Sequence, residues 1–174
     1  MSRQAPLTIA GEAEFLAHII ALKHESEDRL TTMADCLFAH NNPPAAQVFH
    51  ELAGLISLVV EQLQTLALDH VLPEIPPWEY QWHCEDDPEA LCMEHAHYLM
   101  SARQALQLAL YNEQRSVEFL QRIEREVSEP AVREMARRQL RVEQEFAEII
   151  RQRLADLPDE DVVCDDLDPP HMPE

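Results

Sequence analysis

Ala109-Leu110-Tyr111-Asn112-Glu113 sets a glutamate inside an apolar helical stripe. Glu113 is seven residues from Leu106 and from Leu120, three from Leu110 and four from Val117, so all five share one helix face. A carboxylate there loses its hydration and needs a partner: another buried group, a proton or a metal ion. The same Ala-Leu-x-x-Glu frame recurs at Ala21-Leu22-Lys23-His24-Glu25, where Glu25 flanks its stripe. Glu143 interrupts a third stripe, three residues from Leu140, four from Ala147 and seven from Ala136 and Ile150.

Working outward from these positions, the apolar pattern resolves into four helical segments. The first runs from about Glu12 to His40, with Phe15, Ile19, Leu22, Leu30, Met33 and Leu37 on one side. Asn41-Asn42-Pro43-Pro44 stops it and starts the second, about Ala45 to His70, which carries Phe49, Leu52, Ile56, Val59, Leu63 and Leu66. The third is expected from about Glu89 to Ser128, with Leu99 in register with Leu106. Pro130 opens the fourth, about Ala131 to Leu157. These segments predict an all-α four-helix bundle over residues 1–157 and an acidic, proline-rich tail over 158–174.

The connection from about Val71 to Pro88 decides the topology. Some 18 extended residues reach about 60 Å at roughly 3.3 Å each, and a 26-residue helix is about 39 Å long. One long crossover between the second and third helices therefore fits, relating the two hairpins by a pseudo-twofold axis.

Composition narrows the function classes. With 174 residues, 46% hydrophobic content and only two glycines, a single helical core is expected rather than a hairpin-rich sheet. A formal net charge of -20 opposes binding to nucleic acid or anionic membranes. No apolar run is expected to approach the ~18 residues of a membrane span. Met1 to Pro6 lack the apolar core of a signal peptide, and four cysteines without a framework read as reduced thiols, so a cytoplasmic location is expected.

The helical segments resemble the ferritin-like superfamily, in particular its rubrerythrin-type branch. The resemblance rests on His24-Glu25-Ser26-Glu27, Phe49-x-x-Leu52-Ala53, Ala109-Leu110-x-x-Glu113 with Val117-Glu118-Phe119, and Glu143-Gln144-Glu145-Phe146. The segments His40-Asn41-Asn42-Pro43, Pro77-Trp78-Glu79-Tyr80-Gln81-Trp82 and His97-Tyr98-Leu99-Met100 are similar to those of bacterial rubrerythrin-like proteins. The resemblance implies a ferritin-like bundle, association as a homodimer, and a di-iron centre built from one glutamate on each of two helices and Glu-x-x-His on each of the others. It assigns Glu25, Glu113 and Glu143 as metal ligands. Ile56, Val59 and Phe146 stand where the remaining three ligands, both histidines among them, are expected.

Three carboxylates hold at most one hard cation with waters. The expected function is therefore a rubrerythrin-like protein with a degenerate di-iron site and a non-catalytic binding or structural role. The rival is an iron-dependent oxidoreductase or iron-handling protein acting on dioxygen or peroxide, with iron as cofactor. Without metal the carboxylates need a cation from the chain. Arg29, one turn beyond Glu25, is expected to pair with Glu25 or to reach Glu143. A register slip could instead bring His50, Glu51 or Glu61 of the second helix inward.

Other chemistry is sparse. His83, Cys84, Cys92, His95 and His97 lack the tight Cys-x2-4-Cys spacing of a zinc knuckle, and His95 and His97 diverge by ~200° on a helix. Trp78, Tyr80 and Trp82 are expected to pin the crossover to the bundle or to serve a partner.

Overall fold

The computed structural model describes residues 7–80 and 98–158. Four helices dominate: α1 (Glu12–Ala39), α2 (Pro43–Leu66), α3 (Ala102–Glu126) and α4 (Pro130–Asp156). Single 3-10 turns at Ala67–Asp69 and Pro77–Glu79 follow α2. The fold is an all-α four-helix bundle, as the stripes predict. The middle of the crossover, the cysteine and histidine segment, Trp82 and the tail from residue 159 lie outside the described residues.

Local chemistry sets each boundary. Asn41 takes the left-handed conformation (φ 59°) that stops α1. The backbone N–H of Asn41 then bonds Phe38 O, and that of Asn42 bonds Leu37 O, closing the last turn. Asn42 next caps α2, its side chain accepting from Ala45 N, while Pro43 and Pro44 occupy helix positions that need no donor. Ser101 and Gln104 form a capping box at the start of α3, and Pro130 starts α4.

That capping box corrects the third helix. The described part of the third segment is non-helical before Ala102, and Leu99 is exposed rather than in the core. Ser101, with Gln104 three residues on, offers the backbone a better start than any residue just upstream.

α1 packs along α2, and α3 along α4, each as an antiparallel hairpin. The hairpins meet chiefly through α2 and α3. Asn42 Nδ2 donates to the carbonyls of Met100 (2.8 Å) and Tyr98 (3.0 Å), so α2 and α3 begin at the same end of the bundle. The chain must therefore return the length of α2 between them, as the long-crossover reading requires.

α2 and its 3-10 turn, Pro43–Asp69, form one helix long and apolar enough by length and composition to cross a membrane, with a mean hydropathy of 1.3. This corrects the expectation that no segment approaches that threshold. Its apolar face (Phe49, Leu52, Ile56, Val60, Leu63) is buried in the bundle.

The core divides in two. One apolar cluster holds Leu30, Leu37, Phe49, Val60, Leu106, Ala109 and Ile150. The other holds Phe15, Leu22, Leu63, Phe119, Leu120 and Ala136. In α1, α3 and α4 the step from one cluster to the other crosses buried polar residues; in α2 it does not.

Candidate functional site: a buried lysine between two glutamates

The polar level is built from three helices. α1 supplies Lys23 (2% exposed), α3 supplies Glu113 (4%), and α4 supplies Glu143 (2%) with Gln139. Ser26 and Ser116, one turn along from Lys23 and Glu113, are buried too. Lys23 reaches this depth because it lies seven residues from both Leu16 and Leu30, on the buried face of α1.

Lys23 Nζ donates to Glu143 Oε2 at 2.6 Å and stands 3.8 Å from Glu113 Oε1. Gln139 Nε2 donates to the second oxygen, Glu143 Oε1. The Glu113 and Glu143 carboxyls thus face the same ammonium. One buried ammonium serves both carboxyls, with its shorter contact to Glu143.

Burial alone would push the Glu143 carboxyl up. The Lys23 charge, the neighbouring Glu113 and the hydrogen bonds from Lys23 and Gln139 outweigh it and hold the group below its ordinary range. Glu143 is thus held ionised beside Lys23.

The structure brings together two of the three carboxylates that sequence assigns to metal. Glu25 does not join them. It is half-exposed and pairs with Arg29 along the surface of α1. Lys23 and Glu25 are two residues apart, about 200° around the helix, so only one of them can face the centre. Arg29 takes the first of its two expected partners, and the counter-charge of Glu143 is Lys23. His50, Glu51 and Glu61 are exposed, without a register slip.

The residues present do not fit a two-metal centre. Ile56 is buried in the apolar core, and Val59 and Phe146 pack partly buried against it. The two converging carboxylates already hold a cation, and no group of three His, Cys, Asp or Glu side chains among the described residues could hold a metal ion.

Sequence reasoning passed over Lys23, although its spacing to Leu16 and Leu30 matches that of Glu113 to Leu106 and Leu120. It also passed over His18, which is 1% exposed at the other end of α1. Its Nδ1 pairs with Glu14 O at 2.8 Å, and its ring meets Tyr80 edge-on at 5.6 Å. Burial pushes the His18 imidazole below its ordinary value, against the smaller opposing pull of Glu14. Tyr80 thereby holds the crossover to the bundle as expected, whereas Trp78 is exposed.

No protein-family model matches the chain, and no curated protein matches it. Among solved structures, the chain is similar to an uncharacterized conserved protein from Magnetospirillum magnetotacticum MS-1, at 29% identity and a TM-score of 0.63, over 85% of this chain and 96% of that one.

Proposed function

We propose that this chain is a ferritin-like bundle of the rubrerythrin type in which the Lys23 ammonium occupies the centre that the resemblance assigns to iron. Its role is then a non-catalytic, binding or structural one. The observation that carries this reading is the ion pair of Lys23 with Glu143, with Glu113 alongside, all nearly inaccessible to solvent. An ammonium held at 2.6 Å repels any divalent ion brought to the same oxygens; Glu25 is turned away to Arg29, and the other three ligand positions, Ile56, Val59 and Phe146, are apolar. Cytoplasmic residence and association as a homodimer belong to the same reading, and sedimentation mass tests the second.

Elemental analysis of protein purified from iron- and manganese-replete cells tests the central point. The expected result is less than one-tenth of a metal equivalent per chain. Two tightly held irons per chain would overturn the reading in favour of the oxidoreductase.

A further inference from the structure

α2 and α4 both rest on α1 but do not close over it. Between them lies a pocket of about 150 Å³, floored by Phe15, Leu16 and Leu63 and walled by Val59, Met135 and Val142. This open-sided groove has room for a group of about six carbons. It is too small for a nucleotide or a drug-sized molecule, which need roughly 300 Å³ or more.

The polar groups on the lining are Gln62, Gln139 and Arg138. In a chain of net charge -20, the single charge on this lining is positive. Arg138 leans on Glu134 through Nε at 3.3 Å, one turn back on α4, and Glu134 does not line the pocket. Gln139 is buried and bonded to Glu143, so the inner end of the pocket abuts the Lys23 level.

We infer that this pocket binds a small aliphatic carboxylate of about six carbons, its chain between Val59 and Val142 and its head on Arg138. The inference goes beyond the Lys23 reading and stands or falls without it, since it uses none of the three ion-pair residues.

Saturation-transfer NMR on the full chain, with hexanoate and 1-hexanol as probes, tests it. Hexanoate is expected to bind. Val59→Phe and Val142→Phe fill the pocket from opposite walls, and each should abolish uptake. Arg138→Gln is a surface change that should leave folding intact, weaken hexanoate roughly two- to fivefold as an exposed charge pair would, and leave 1-hexanol unaffected. No hexanoate signal at millimolar concentration from folded protein overturns the proposal. So does binding that survives both phenylalanines, or a hexanoate affinity unchanged by Arg138→Gln. Phenylalanine variants that alter the sedimentation mass instead of ligand uptake would assign the groove to a second copy of the chain and overturn it likewise.

Discussion

Lys23 Nζ and Glu143 Oε2 meet at 2.6 Å in the middle of the bundle, 120 residues apart in sequence. Desolvating two charges opposes folding, and their attraction in a low-dielectric interior offsets that opposition only while both are present. Lys23→Ala should therefore destabilise the fold by about 3–5 kcal/mol in urea unfolding. The vacated space would be an anionic cavity, so Mn²⁺ should raise the melting temperature of Lys23→Ala and leave the parent chain unmoved. A Lys23→Ala chain as stable as the parent would sink the account of the cluster.

Replacing the whole cluster has the opposite expectation. Lys23→Met, Glu113→Leu and Glu143→Met together should be neutral or stabilising, by up to about 4 kcal/mol, because the two apolar clusters then join without a charge to desolvate. If the triple variant unfolds more readily than Lys23→Ala alone, the cluster contributes net stability and the desolvation argument is wrong.

Glu25 and Arg29 make the contrasting pair. They sit one turn apart on α1 with side chains 41% and 30% exposed, so water screens them. Glu25→Gln should change stability by no more than about 0.5 kcal/mol. A loss comparable to that of Lys23→Ala would return Glu25 to the functional centre.

Acid should unfold the protein in two windows. His18 is held below its ordinary value near 6.5, so the unfolded chain takes up that proton first. Its contribution is complete above about 6.5 and is lost as pH falls from there to the lower folded value. Glu143 is likewise depressed from its ordinary 4.5, and its contribution is lost as pH falls below that. Urea titrations at stepped pH should show both declines, and His18→Leu should remove the upper one alone.

Asn42 performs two tasks that substitution can separate. Asn42→Asp keeps the oxygen that caps α2 but loses the donor to Tyr98 O and Met100 O, whereas Asn42→Ala loses both. Asp should cost about 1 kcal/mol and Ala about 2, since a cap and a hydrogen bond are each worth roughly 1. Equal losses would mean that the donor bonds alone matter and the cap contributes nothing.

The helices were legible because their stripes are periodic and their ends carry asparagine, proline and serine signals. Glu113 and Glu143 were legible as carboxylates that interrupt a stripe. Lys23 was not, because a lysine beside a stripe ordinarily extends its flexible stem to water. Only the tertiary arrangement shows that the carboxylates of α3 and α4 face it from across the bundle. Glu25 misled through its repeated local frame: Ala-Leu-x-x-Glu sets the same spacing twice, but the burial of Leu16 and Leu30 turns Lys23 inward instead. The start of α3 was misplaced because the stripe extends back to Leu99 in sequence, while the capping box at Ser101 sets where hydrogen bonding begins.

The polar level also acts as an index mark. Lys23, Glu113 and Glu143 match α1, α3 and α4 to one another along the bundle axis, because a one-turn slip of any of them would strand a charge. α2 carries no such mark: its Ile56, Val60 and Leu63 run through the same level as interchangeable apolar rungs. Its polar ties lie at its surface: Asn42 to Tyr98 and Met100, Glu51 to Arg153 of α4, and Gln64 to His24 of α1. Of the four helices, α2 is the one whose buried residues are all apolar, so its register rests on side-chain packing and on these surface ties rather than on a buried charge.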